Sequence, residues 1–196
     1  GYGVMVFEAM SEPGGMLRYG IPQYRLPRKI LDAEIKRIES LGVEVQTGKK
    51  FGSDLGLEDL KAYQSIFLAT GAQAEQKPKI PGDNLKGVWH GLAFLKEVNS
   101  GKRIPLGKEV IVVGGGNTAI DSARVAWRMG SKVTVIYRRA KEDMPAIAQE
   151  VEEARKEGVE FIFHAAPEKI IGKSGKVQRV ECLKTKPGRA DASGRR

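Results

Sequence analysis

Apolar positions change period several times along the chain, and each change marks the edge of an element. Val4-Met5-Val6-Phe7 is a β-branched and aromatic run that stops at an acid, Glu8, as a strand end does. Between Glu12 and Pro27, glycines and prolines break every period, which predicts an ordered loop rather than a helix or strand. After Pro27 the period becomes helical. Ile30, Leu31, Ile35, Ile38 and Leu41 share one face, and Gly42 supplies the stop. Val43 to Thr47 alternates as a strand, Leu57 to Tyr63 reads as a short helix, and Ser65 to Ala69 as a buried strand. That strand runs into the small-residue turn Thr70-Gly71-Ala72. A Pro/Gly-rich crossing over 78–91 leads to a helix over 92–99, and Ser100 to Gly107 is the best linker.

The second half repeats the alternation. Val110 to Val113 is a short apolar strand followed by three glycines, and Thr118 to Met129 is a helix stopped by Gly130. Ala119, Ala123 and Ala126 keep its inner face small. Lys132 to Tyr137 is the next strand, and a helix beginning at Met144-Pro145 runs to about Lys156 and ends at Gly158. Val159 to Phe163 and Lys176 to Lys184 read as further strands. The tail 187–196 loses its apolar content and is expected to be a cut inside a longer chain. No repeat with a period of about 20–50 residues is present, and strands alternating with helices predict an α/β architecture.

The chemistry gathers at the glycines. Gly114, Gly116 and Ala119 fit the spacing G-x-G-x-x-A, between a strand and a helix and one unit before a second strand. The first glycine permits a tight turn, the second lets backbone approach a pyrophosphate, and the small third residue lets helix and strand pack closely. The helix N-terminus then faces the phosphates. At the end of the second strand, where an acid would accept from ribose hydroxyls, the sequence reads Tyr137-Arg138-Arg139. Two guanidinium forks suit a 2′-phosphate dianion, favouring NADP(H) over NAD(H); a solvated basic loop is the plainer alternative. Glu8 likewise sits where the second strand of a dinucleotide-binding unit ends, so a first strand and its glycine loop are expected upstream.

Composition narrows the classes. The 196 residues, 41% hydrophobic and 29% charged, suffice for one large domain or two small ones. No apolar run approaches a membrane span, and no secretory signal is visible. The single Cys182 excludes an internal disulfide or cysteine cluster in this segment and favours a reducing, cytoplasmic compartment. His90 and His164 lack ligand spacing, so no metal site is expected. The net charge of +9 is scattered among acids without a nucleic-acid motif, and anionic cofactors or an acidic partner account for it as well.

The order Glu8, Pro13-Gly14-Gly15-Met16-Leu17-Arg18-Tyr19-Gly20-Ile21-Pro22, Arg25-Leu26-Pro27, Ala69-Thr70-Gly71, Gly114-Gly115-Gly116-Asn117-Thr118-Ala119, Tyr137-Arg138-Arg139 and Met144-Pro145-Ala146 covers nearly the whole chain. It resembles the small (β) subunit family of NADPH-dependent glutamate synthase, within the FAD-dependent pyridine nucleotide-disulfide-oxidoreductase-like proteins. Parts of dihydropyrimidine dehydrogenase, the NADH-dependent ferredoxin:NADP oxidoreductase large subunit and, more distantly, adrenodoxin reductase are similar. The resemblance implies an α/β flavoprotein in which a Rossmann-like NADP(H)-binding domain, 106–185, is inserted in a partial FAD-binding domain, 1–105. Residues 186–196 would begin the return to the FAD domain. It implies that Glu8 holds the FAD ribose, that Gly15, Met16, Leu17 and Arg25 approach the flavin nucleotide, and that Thr70 and Gly71 sit beside FAD. Gly114, Gly116, Asn117 and Thr118 would bind the NADPH pyrophosphate, Arg138 and Arg139 the 2′-phosphate, and Glu150 would lie near the nicotinamide nucleotide. Hydride would pass from NADPH to flavin and electrons on to iron–sulfur clusters outside this segment. The implied partner is the glutamate synthase large subunit or a ferredoxin-like iron–sulfur acceptor. Alternatives are a ferredoxin:NADP-type electron-transfer subunit and a non-catalytic NADP(H)-binding module. No acid–base catalytic set is required, and the segment alone is expected to be inactive.

Overall fold

The computed structural model describes residues 1–72, 80–186 and 188. Part of the expected crossing over 78–91 and almost all of the tail 187–196 therefore lie outside the described residues. The chain forms two compact units, residues 1–74 and 75–196.

In the first unit, β1 (Val4–Phe7) pairs in parallel with β2 (Val43–Gln46). Parallel neighbours need a crossover, and α2 (Arg28–Ser40) provides it. Pro27 leads into this helix with an extended backbone, and Gly42, at φ 90°, turns the chain out of it. The Gly/Pro stretch before it is not wholly irregular, because α1 (Gly15–Tyr19) forms one turn there. The run Met16-Leu17-Arg18-Tyr19 contains no glycine or proline, and Leu17 N–H closes onto the Gly14 carbonyl at 3.1 Å. Arg18 secures the turn: buried to 6% exposure, it donates to the Pro13 carbonyl at 2.6 Å and pairs with Asp32 on α2.

Two further expectations in this unit are corrected. Leu57 to Tyr63 yields only a 3₁₀ turn, Glu58–Leu60. Residues 65–69 form no strand and are not buried; Phe67 is 92% exposed and Leu68 65%. A buried parallel strand needs ladder partners and cover on both faces, and among this unit's described residues β1 and β2 are the only paired strands. The apolar face of α2 is covered only in part: Leu31 is buried, whereas Ile38 is 49% exposed.

The second unit contains a parallel sheet in the order β3 (Glu109–Val113), β4 (Lys132–Tyr137), β5 (Glu160–Phe163). The crossovers are α4 (Asn117–Arg128) and α5 (Ala148–Glu157), and α3 (Gly91–Asn99) packs on α4. The core lies where Ile120 and Ala123 of α4 meet Val133 and Val135 of β4, all with 0% exposure. Helices crossing between parallel strands meet the α/β expectation. The expected linker contributes Ile104 to the buried set. After β5 comes an antiparallel hairpin, β6 (Ala165–Lys173) and β7 (Lys176–Lys184), closed by Ser174-Gly175, both at positive φ. Only β7 is legible in the sequence, since Pro167 and Gly172 break up the β6 pattern. No helix among the described residues is long and apolar enough to cross a membrane.

An ionic clasp joins the two crossovers. Arg124, 6% exposed on α4, donates through Nε and Nη2 to Glu157 at 3.1 and 2.5 Å and pairs with Glu150. Arg128, one turn on, donates to the same Glu157 carboxylate at 2.6 and 2.9 Å. Burial alone would raise the Glu157 pKa, but hydrogen bonds from Arg124 and Arg128 outweigh it and hold the carboxyl below the ordinary value of 4.5. A group held below its unfolded pKa stabilises the fold above that value and loses the contribution as pH falls through the folded one. Glu157→Gln is expected to cost about 3 kcal/mol near neutral pH, because it strips a buried guanidinium of one counter-charge. Thermal melts of both proteins should converge as pH drops below about 4.5; a gap that stays constant with pH would refute the role of the ionised carboxylate.

Candidate functional site

The carboxyl ends of β3 and β4 meet the N-terminus of α4, the place where open parallel sheets bind ligands. Three consecutive glycines occupy this junction for three different reasons. Gly114 has φ 132°, a conformation side chains resist, and a Cβ there would stand 3.3 Å from the Cβ of Ala119. Gly115 is excluded from carrying a side chain by its neighbour, since a Cβ would lie 2.6 Å from Cε2 of Tyr137. Gly116, the N-cap of α4, has φ −90° and ψ 172°, which any residue adopts, and a Cβ there would meet nothing within 4 Å. Neither conformation nor packing demands glycine at 116. The open space beside a helix N-terminus fits a pyrophosphate held against backbone N–H groups.

A strap returns over the turn. Tyr137 donates its hydroxyl to the Asp143 carbonyl at 2.8 Å, Ala146 N–H reaches the Gly115 carbonyl at 3.0 Å, and Ile147 N–H reaches Oδ1 of Asn117 at 2.9 Å. These bonds keep Met144 and Ile147 extended, so α5 begins at Ala148 rather than at the expected Met144-Pro145. Asn117, expected on the pyrophosphate, thus spends its side-chain oxygen on the strap. Thr118 turns its methyl toward α3, where a Cβ on Gly91 would stand 3.0 Å from Thr118 Cγ2. Arg138 leaves β4 exposed and Arg139 half-buried. Glu150 is held by Arg124, as described above.

The other expected residues belong to the first unit. Glu8 is half-buried and accepts from Met10 N–H at 2.8 Å. Gly15, Met16 and Leu17 form the start of α1, with Gly15 at φ 50° and Leu17 49% exposed. Arg28 donates to the Leu17 carbonyl at 3.0 Å and ties this turn to α2. Burial, and next the neighbouring Arg18, lower the Arg28 pKa. Arg25 is half-buried in the turn after Pro22, while Thr70 and Gly71 are exposed, Gly71 at φ 70°. The structure thus brings Gly114, Gly116, Asn117 and Thr118 together at one junction, with Arg138 and Arg139 at the adjoining strand end. Sequence reasoning did not find Tyr137 as the ring beneath Gly115 or Ala146 and Ile147 as the strap. An aromatic residue closing the second strand was the available signal.

A model of the pyridine nucleotide-disulphide oxidoreductase family matches residues 8–193. The chain is 42% identical to the NADP(+)-dependent formate dehydrogenase subunit beta of Moorella thermoacetica, over all of this chain and 28% of that protein. It is 35% identical to the glutamate synthase [NADPH] small chain of Escherichia coli, over all of this chain and 44% of that one. The chain therefore spans less than half the length of either relative. Among solved structures, Lactococcus lactis thioredoxin reductase superposes with a TM-score of 0.67 at 25% identity, over 95% of this chain and 64% of that one.

The different causes of the glycines separate experimentally. Gly115→Ala should lower stability by about 1–3 kcal/mol by forcing the Tyr137 ring aside. Gly116→Ala should leave the melting temperature nearly unchanged while weakening nucleotide binding. Melting curves with and without NADPH check both, and an unchanged affinity in Gly116→Ala would remove the pyrophosphate from that space.

Proposed function

The chain belongs to the pyridine nucleotide-disulphide oxidoreductase family of NAD(P)-dependent flavoprotein oxidoreductases, and from that premise we propose that it takes NADPH as hydride donor in an electron-transfer subunit. The observation that carries the choice of NADPH is the Arg138-Arg139 pair at the end of β4, where an acid would otherwise receive ribose hydroxyls. Two planar guanidinium groups there match a 2′-phosphate dianion. Gly114 and Gly116 admit the pyrophosphate to the α4 N-terminus, with Thr118 and the strap-bound Asn117 beside it, and Glu150 lies on the following helix.

In this reading residues 106–185 hold NADP(H), and residues 1–105 supply part of an FAD domain, although α3 packs within the second compact unit. Glu8 accepts from the FAD ribose hydroxyls; Gly15, Met16, Leu17 and Arg25 approach the flavin nucleotide; Thr70 and Gly71 leave room beside it. FAD, when bound, supplies a two-electron acceptor that can release electrons to iron–sulfur centres. The residues of this chain bind and orient; none is needed to move a proton. The partner is an iron–sulfur electron acceptor of a cytoplasmic complex, and glutamate synthase is one member of that class. The higher identity to a formate dehydrogenase subunit, 42% against 35%, favours the broader electron-transfer role.

Replacing Arg138 and Arg139 together by Ala should weaken NADPH by about ten- to a hundredfold, the worth of one or two charged hydrogen bonds, while leaving NADH within a few-fold. Calorimetric titration with each cofactor measures this. Equal losses for the two cofactors would sink the assignment.

A further inference from the structure

The hairpin β6–β7 grips the Arg138-Arg139 segment at its open end. His164 is the last residue before β6 and Thr185 the first after β7, and their flanking neighbours Ala165 and Lys184 form the terminal register pair. Thr185 N–H donates to the His164 carbonyl at 2.7 Å, which closes the hairpin one step beyond its ladder. From that closed end two bonds reach across to the exit of β4. His164 N–H donates to the Arg139 carbonyl at 3.3 Å, and the Thr185 hydroxyl donates to the Arg138 carbonyl at 2.5 Å. His164 adopts φ 55°, uncommon for a residue with a side chain. That left-handed step turns the chain from β5 into β6 while its N–H serves Arg139.

We infer that Thr185 is a positioning residue for cofactor specificity: its hydroxyl, with the His164 backbone, fixes the carbonyls of Arg138 and Arg139 and so aims both side chains at a 2′-phosphate. The inference rests on the reading of those arginines as the 2′-phosphate site. A loop held at two successive carbonyls has less backbone freedom to lose when the anion arrives, and that saving appears only for the cofactor that carries the phosphate. NADH makes no such contact, so the hydroxyl of Thr185, 47 residues away in sequence from Arg138, acts on the ratio of the two affinities.

The test is calorimetric titration of the full chain with NADPH and NADH, in the parent, Thr185→Val, Thr185→Ser and the Arg138→Ala/Arg139→Ala double variant. Thr185→Val should lower the preference for NADPH by roughly three- to tenfold, the worth of about one hydrogen bond, and Thr185→Ser should restore it. Should Thr185→Val fold poorly by thermal melt, Thr185→Ala set against Thr185→Ser gives the same reading. A preference that persists in Thr185→Val and Thr185→Ala, or an equal loss of both cofactors, overturns the inference. If the double variant keeps the parent's preference, the arginines are not the phosphate site and the role of Thr185 falls with them. If the double variant loses the preference while the Thr185 variants keep it, only the role of Thr185 is refuted.

Discussion

The ring of Tyr137 fills the space that Gly115 leaves by having no side chain, and the candidate site is built outward from that contact. It sets how closely the β3–α4 turn can approach the end of β4. With the ring seated, the Tyr137 hydroxyl is placed to bind the Asp143 carbonyl. The chain beyond then returns to the turn through Ala146 and Ile147. Arg138 and Arg139 lie at the start of this loop, whose course is bonded at both ends. The neighbouring glycines carry separate burdens: Gly114 solves a dihedral problem, whereas a Cβ on Gly116 would meet nothing within 4 Å among the described residues.

Charge is distributed according to the same division. Where α4 and α5 pack, Arg124 and Arg128 are matched by Glu150 and Glu157, and the carboxylate most enclosed by guanidinium groups has its pKa driven down. At the other end of β4, Arg138 is exposed just past the last residue of the strand. The first arrangement stabilises a helix pair. The second is suited to an anion brought from solution. Arginine thus stands buried against carboxylates at one end of β4, in Arg124, and exposed at the other, in Arg138.

In the hydride transfer proposed above the reactive atoms belong to the cofactors, and the part left to this chain is placement. That explains why the informative contacts are backbone ones: carbonyls of Gly115, Arg138 and Arg139 are each bonded by residues that are distant in sequence. In the function proposed above, side chains would confer the choice of nucleotide, and backbone pinning would set how sharply that choice is expressed.

Much of the second unit was legible in the order of residues. The β3–Gly–α4–β4 unit, the stop at Gly130, the end of α5 at Gly158 and the pair Arg138-Arg139 follow from period, turn chemistry and spacing, which act within a few residues. The α1 turn and the silent β6 show the limit of local reading, since glycine and proline mark a break without saying what lies between breaks. Residues 65–69 have a strand's composition and no strand's partners, because pairing is a property of neighbours rather than of the segment. The strap, the seat of the Tyr137 ring and the bonds from His164 and Thr185 were decided by the tertiary structure alone. Each joins atoms brought near one another only after the parallel sheet has set the distance between strand ends, and no pattern within either segment encodes that distance.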